Sequence, residues 1–321
     1  MCRMEALGGL WCLAPVMRAH LGWRDTANLA RAAKSSPLSD LGQEMAALDA
    51  AAFERLVPFA GLYALDKPAA RLTFGPRWRA PVEDLVPHGT QRVTFGPFFD
   101  HAVDQLPPSL RRLTLGYSFD QSLTRLPVHL THLALGDEFD QCLDHLPPGL
   151  THLTLGYSFN RTIDLLPSKL AQLRLGYCFN RKIDRLPASL RHLTVGDSFD
   201  QPVDQLPAGL VHLVFMSCFS IVAEMRPSII LRLGDFNQPV DRLPAGLTHL
   251  ALGHGFDQPV DRLPAGLTHL AIGDAFDQPV DRLPAGLTHL AIGDAFDQSV
   301  DRLPAGLTHL AIGDAFDQSV D

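Results

Sequence analysis

Leucine positions recur at a fixed interval from about residue 70 to the end of the chain. One unit reads LPPSLRRLTLGYSFDQSLTR from Leu106, and the next begins at Leu126, so the period is 20 residues. The segment L-x-x-L-x-L within each unit has the two-residue alternation of a strand with one buried face. Because a unit this short cannot bury its own apolar edge, the units must stack. The pattern predicts a β-rich solenoid of 20-residue repeats with one parallel sheet and mostly non-helical outer connections.

Proline, glycine and phenylalanine hold fixed places within the unit. Pro107 ends the preceding element and fixes φ, and Gly116 follows the strand, where a bend without a Cβ is easiest. The Gly-x-x-Phe element gives about 13 units, counting Met216/Phe219 and Gly234/Phe236 as two of them. The Asp or Asn after each Phe is expected to bond turn backbone.

The unit signature L-P-x-x-L-x-x-L-x-[LIV]-G-x-x-F-[ND]-Q-x-[VI] resembles the FNIP repeat, a relative of leucine-rich repeats. The resemblance covers roughly residues 70–321 and is closest at Phe159-Asn160 and at residues 236–240. The chain departs from the family by preferring Asp to Asn after Phe and by its slightly shorter period. The resemblance implies a leucine-rich-like solenoid that carries a binding surface and no catalytic residues.

Residues 1–60 differ from the repeats, being rich in alanine and helical in period. We predict a small α-helical N-terminal domain there, followed by the solenoid over residues 61–321. Asp25 is placed to cap a helix that ends near Ser35-Ser36-Pro37, and Ser39 or Asp40 to cap a second helix that Pro58 ends. In the simplest interpretation, these helices cover the open edge of the first coil.

The segment from His20 to Lys34 also resembles the second half of an F-box, although the Leu-Pro opening and the later Trp of that family are absent. The positions on the F-box spacing, which become candidate contacts, are Leu21, Asp25, Leu29 and Lys34. This resemblance implies a ubiquitin-ligase adaptor as partner. The F-box-like domain and the plain helical cap both remain open, and a signal peptide is disfavoured by Glu5 and by the lack of a cleavage site.

A polar column lies four residues before the glycine column, and eight of its members are histidines: His132, His152, His192, His212, His249, His269, His289 and His309. Strand alternation points these side chains outward, with neighbouring rings about 4.8 Å apart. A metal site is disfavoured because the adjacent column supplies no carboxylate or thiolate. We therefore predict neither metal nor cofactor here, and a neutral ladder that faces a protein partner. Below about pH 6 the rings should repel one another and loosen the C-terminal coils.

Two further features of the sequence are candidate sites. An aspartate column from Asp104 to Asp301, often followed by Arg, is interpreted as a solvated rim with Asp–Arg pairs across coils. The degenerate unit from Leu213 to Asp235 is either a drifted repeat that kinks the solenoid or an apolar partner-binding patch. Ile221 and Ile230 are the candidates in that patch.

Charge, cysteine usage and missing motifs narrow the function. The formal charge of −8 disfavours nucleic acid, no stretch is long enough to span a membrane, and five scattered cysteines favour a reducing, cytoplasmic compartment. Motifs of hydrolases, P-loop proteins and zinc proteases are absent. The sequence thus predicts a non-enzymatic interaction scaffold. It would be the substrate receptor of a cullin–RING ubiquitin ligase, or alternatively a stand-alone binding solenoid.

Overall fold

The computed structural model describes residues 62–66, 71–75, 86, 88–215 and 236–318.

Two tight turns shape each 20-residue coil. In a typical coil, the amide of Leu150 donates to the carbonyl of Pro147 at 3.1 Å, and the amide of Phe139 donates to that of Gly136 at 3.4 Å. Each bond joins an amide to the carbonyl three residues earlier in the chain, as in β-turns. The Pro-x-x-Leu and Gly-x-x-Phe elements of the sequence are therefore the two corners of the coil, and the predicted non-helical connections are confirmed for the described coils.

The chain divides into two compact units, Met1–Leu130 and Thr131–Asp321. In the first unit the strands are β1 Leu62–Asp66, β2 Arg71–Phe74, β3 Arg92–Thr94 and β4 Arg112–Thr114. In the second unit they are β5 His132–Ala134, β6 His152–Thr154, β7 Gln172–Arg174, β8 His192–Val195, β9 His212–Phe215, β10 His249–Ala251, β11 His269–Ile272, β12 His289–Ile292 and β13 His309–Ile312.

Within each unit the repeat strands pair in parallel and in register, so equivalent positions of successive coils lie side by side. Thus β3 aligns Arg92 with Arg112 of β4, and β11 aligns His269 with His289 of β12. The predicted parallel sheet is confirmed for β2–β4 and for β5–β13.

The first strand departs from that prediction, because β1 runs antiparallel to β2. Four residues separate the two strands, whereas a parallel pair needs a crossover of about a dozen residues or more. The edge of β2 in the first unit is thus covered by a strand.

A column of phenylalanine rings fills the interior. In the second unit the rings from Phe139 to Phe296 are 0–1% exposed. Consecutive members stack with centroids 6.0–6.2 Å apart, within the range of favourable offset stacking. The strand leucines and the residue four places after each Phe, such as Ile163, complete this core.

The side chain of the residue after each Phe forms hydrogen bonds with the next coil rather than with its own turn. The Asp257 side chain accepts hydrogen bonds from the amide of Asp277 at 3.0 Å and from Nε2 of Gln278 at 2.9 Å. Asp277 repeats this toward Asp297 in the next coil. The expectation of a local turn bond was therefore wrong, and this Asx ladder explains why Gln follows Asp in the repeat.

The degenerate segment changes the coil count. Strand β9 pairs directly with β10, placing His212 against His249, and the ring of Phe236 stacks on Phe199 at 6.1 Å. The side chain of Asp200 likewise accepts from the amide of Asn237 at 3.2 Å. The strand column and the Phe column thus continue across this stretch with a single repeat position. The sequence count had assigned two units there, Met216/Phe219 and Gly234/Phe236. The extra 17 residues enter as an insertion within one coil, between its strand and its Phe.

The predicted helical domain over residues 1–60 lies outside the described residues.

Candidate functional site

The histidine column lies on the outer face of the parallel sheet of the second unit. In β5–β12 the residue after the column position, such as Leu250, is buried, while the residues on either side, His249 and Ala251, are partly exposed. In β13 the equivalent Leu310 is exposed. This alternation places all eight predicted histidines on one face, as expected from the strand pattern. We call this row the histidine ladder.

The ladder is a stack of nearly parallel imidazoles. Ring centroids of His249, His269, His289 and His309 are 4.1–4.2 Å apart, with interplanar angles of 9–12°. His132 and His152 form a separate stacked pair at 4.1 Å, and Gln172 on β7 separates that pair from the run that begins at His192. The predicted ring stacking is confirmed.

A threonine before most ladder histidines holds the imidazole. The Thr268 hydroxyl lies 2.9 Å from Nδ1 of His269 and donates to the Thr248 carbonyl at 3.1 Å. Its one proton is therefore committed to the carbonyl, so Nδ1–H of the imidazole must be the donor to Oγ. The same pair of bonds occurs at His152, His249, His289 and His309. We assign these neutral rings the Nδ1–H tautomer, with Nε2 unprotonated.

Protonation of three ladder rings is disfavoured in the folded chain. Desolvation first, and repulsion from neighbouring imidazoles second, lower the pKa of His212, His269 and His289 below the ordinary value of 6.5. At neutral pH these three rings are therefore uncharged. In the first unit the equivalent column is arginine, and desolvation and then its neighbours Arg71 and Arg112 lower the pKa of Arg92.

A shallow trough runs beside the ladder. The outward column two residues after each histidine is alanine in β10–β13, and with the ladder it lines an open depression of about 720 Å³. Ala271 and Ala291 are exposed in its floor. On β7 the same column carries Arg174. The trough thus has an apolar floor and a wall of imidazoles.

The FNIP Repeat family model matches residues 144–178 and 179–218, which lie in the second unit. Residues 144–218 are FNIP repeats. Its crystal-structure relative CroV588, a circular LRR protein, is 34% identical with a TM-score of 0.63, and the match covers 78% of this chain. The chain spans 41% of the length of that relative.

Two other solved structures are less similar to this chain. YopM from Yersinia enterocolitica is 18% identical with a TM-score of 0.28, covering 81% of this chain and 72% of YopM. A leucine-rich repeat protein from Bacteroides ovatus is 10% identical with a TM-score of 0.18, covering 77% of this chain and 74% of its own. No curated protein matches the sequence.

The aspartate column of the repeats lacks the expected cross-coil ion pairs. Among the described residues, the ion pairs found are Arg161–Asp140 and His254–Asp274, each at 3.0 Å, and neither involves this column. The described residues also contain no group of three or more His, Cys, Asp or Glu arranged to hold a metal ion. None of them belongs to a helix of the length and apolarity needed to cross a membrane.

Several predicted contacts fall outside the described residues. These are the F-box-like positions Leu21, Asp25, Leu29 and Lys34 and the patch residues Ile221 and Ile230. Conversely, the sequence analysis missed the threonine that precedes most of the ladder histidines. The repeated Thr-His pair in L-T-H-L was the available signal, because a hydroxyl next to an imidazole on a strand can fix its tautomer.

Proposed function

We propose that this repeat protein is a non-enzymatic scaffold that binds another protein through the histidine ladder and its alanine trough. The trough is the observation that carries this proposal. It combines a row of unprotonated Nε2 acceptors with exposed alanine over β10–β13. Partly apolar, accessible surface of this kind is typical of interaction sites.

A pair of matched double substitutions tests the role of the trough. Ala271→Arg with Ala291→Arg places two bulky cations in its floor, and Arg174 on β7 shows that the column accommodates arginine. The control, Gln278→Arg with Gln298→Arg, makes the same charge change on the rim, where Arg161 occupies the equivalent position.

Quantitative affinity capture from cell extract, with the full chain as bait, compares the two variants. Proteins retained by the wild type and by the rim variant should be lost from the trough variant. Equal recovery by all three baits would refute the trough as the binding surface.

The finer proposal is that residues 1–60 dock the adaptor subunit of a cullin–RING ubiquitin ligase, so that the solenoid selects its substrate. It is supported by the F-box-like spacing of Leu21, Asp25, Leu29 and Lys34. Substituting Leu21 and Leu29 with Ala should abolish capture of the adaptor and retain the trough-dependent partners. If the wild-type chain captures no adaptor or cullin, the stand-alone solenoid is the better description.

A further inference from the structure

We propose that three aligned arginines on the sheet of the first unit bind a phosphorylated serine or threonine side chain of a partner protein. This site belongs to a different unit from the trough. The inference therefore goes beyond the proposed scaffold function and does not depend on it.

The first support is a row of positive charge. In-register pairing of β2, β3 and β4 aligns three arginines, which we call the arginine row: Arg71, Arg92 and Arg112. Both ion pairs in the described part of the chain lie in the second unit, so neither neutralises this row. Asp66 of β1 is opposite Arg71 in the register, which still leaves the row with excess positive charge. Desolvation first, and repulsion from Arg71 and Arg112 second, lower the pKa of Arg92, so an anion that offsets this repulsion is favoured here.

The second support is a row of hydroxyl groups beside the arginines. The residue two places after each arginine lies on the same face of the sheet. In all three strands it is a partly exposed threonine, and we call these residues the threonine row: Thr73, Thr94 and Thr114. Within the described part of the chain, none of these hydroxyls takes part in a hydrogen bond. The face therefore offers an anion two kinds of donor, guanidinium and hydroxyl.

The spacing and charge of the arginine row favour a phosphoryl group over a carboxylate. Adjacent strands are about 4.8 Å apart, so the outer arginines stand about 10 Å apart at the backbone. Their long side chains can therefore reach one anion held above Arg92. A phosphoryl group has three strong acceptor oxygens and a charge near −2 at neutral pH, whereas a carboxylate has two oxygens and a single charge. Arginine clusters are a recurring means of recognising phosphorylated segments.

The openness of the face favours a phosphorylated segment over a free phosphate ion. Arg71 and Arg112 are exposed and Arg92 is partly exposed, so a free ion there would keep much of its hydration. Ion pairs at exposed positions contribute little to affinity by themselves. A peptide that carries the phosphoryl group can add hydrogen bonds to the threonine row, and these supply affinity that the ion alone lacks.

Three sets of immobilised decapeptides test the ligand class with the full chain at pH 7.5. The peptides are degenerate except for one central position, which is phosphoserine in the test set, serine in the first control set and glutamate in the second. The phosphoserine set should retain the chain, the glutamate set should retain it weakly, and the serine set should not retain it. Equal retention by phosphoserine and serine peptides would overturn the proposal.

A matched pair of double substitutions tests the site. Arg92→Gln with Arg112→Gln removes two charges from the row, and Gln172 on β7 shows that this column accommodates glutamine. The control, Arg185→Gln with Arg242→Gln, makes the same charge change at exposed positions of the second unit. Each lost guanidinium contact should weaken phosphoserine binding about 10-fold or more, whereas the control should bind like the wild type. Unchanged retention of the row variant, or equal loss in both variants, would refute the arginine row as the site.

Two milder substitutions test the geometry in a chain that keeps its charge and fold. Arg92→Lys with Arg112→Lys should also weaken binding, though less than the glutamine pair, because an ammonium group cannot form the bidentate contact. Thr94→Val should weaken binding about 3-fold or more, whereas Thr154→Val, in the same column of the second unit, should not. Circular dichroism should give the same thermal midpoint for Thr94→Val as for the wild type. Equal binding by the two valine variants would contradict a contact with the threonine row.

Competition distinguishes the sources of the phosphoryl group. Inorganic phosphate should release the chain from the phosphoserine peptides only at a far higher concentration than soluble phosphoserine peptide does. Release at an equal concentration would indicate a free-phosphate site, and stronger competition by a single-stranded DNA oligonucleotide would indicate a nucleic-acid backbone; either result would overturn the proposal. The trough variant Ala271→Arg with Ala291→Arg should keep its phosphoserine binding, so failure of the trough and failure of the arginine row are distinguishable.

Discussion

The glycine that follows most repeat strands, such as Gly273, lies close to the backbone of the preceding coil, and substituting it tests the stacking. A Cβ added to Gly273 would lie 2.6 Å from the backbone carbon of Gly253 and 2.6 Å from Cα of His254. An ordinary van der Waals contact needs 3.4 Å or more, and the obstructing atoms belong to the backbone. The coil itself must therefore move, because no side chain can turn aside. The glycine thus permits a close approach between coils, in addition to following the strand where the sequence predicted a bend.

The cost of Gly273→Ala follows from this overlap. Overpacking a close-packed interior costs about 1–3 kcal/mol, and a backbone obstacle places this substitution at the upper end of that range. Gly286 is the matched control, because a Cβ there would meet its nearest neighbour, the carbonyl oxygen of Ala265, at 3.5 Å. Gly286→Ala should be neutral within about 0.5 kcal/mol, or slightly stabilising through the unfolded state.

Urea unfolding followed by circular dichroism, together with amide hydrogen exchange, measures the difference. Gly273→Ala should lower the unfolding midpoint and speed exchange at Leu252, whose amide donates to the Ala271 carbonyl at 2.8 Å beside the strained contact. Gly286→Ala should leave both unchanged. Equal destabilisation by the two substitutions would refute the claim that close approach of the coils selects glycine after the strand.

Three further predictions follow from the ladders and the insertion. Folding lowers the pKa of His212, His269 and His289, so the unfolded chain binds more protons than the folded chain. Stability present above about pH 6.5 should therefore be lost as pH falls through the lowered pKa values. A thermal midpoint that stays flat from pH 7.5 to 5.5 would contradict this. Asp277→Ala removes the acceptor of two exposed hydrogen bonds and should cost about 1 kcal/mol in urea unfolding. Asp277→Asn should leave the free energy of unfolding nearly unchanged, because Asn237 accepts the same two hydrogen bonds in another coil. Equal losses of stability in Asp277→Ala and Asp277→Asn would show that the carboxylate charge matters instead. Ile221→Ser with Ile230→Ser should weaken partner capture without lowering the thermal midpoint, and unchanged capture would refute an apolar binding patch there.

The periodicity of the sequence was sufficient to predict the coil, the parallel sheet and the outward histidines. Stacked repeats place residues 20 apart side by side, so a column in the sequence becomes a row in the structure. Local sequence patterns did not predict the side-chain hydrogen bonds that connect one coil to the next. The Asp after Phe was expected to bond its own turn, yet its acceptor oxygen reaches the next coil, because stacking brings that amide as close as any within the turn.

The period itself misled where the chain inserts residues. Counting Gly-x-x-Phe elements assigned two units between Phe199 and Phe256, whereas Phe236 stacks directly on both of these rings. A period counted in the sequence cannot show this, because stacking across a longer stretch of chain depends on which strands pair. The antiparallel β1 was missed for a related reason, since it belongs to no repeat and carries no periodic signal.

Nitrogen-15 NMR of the imidazoles in the full chain at pH 7.5 tests the ordered, neutral histidine ladder most directly. The five rings whose Nδ1–H donates to a threonine hydroxyl, which include His269 and His289, should show a protonated Nδ1 and an unprotonated Nε2. The corresponding Thr→Val substitutions should change that pattern at the adjacent ring. Rings that carry their proton on Nε2, or that are fully protonated at this pH, would contradict a face built from exposed nitrogen acceptors.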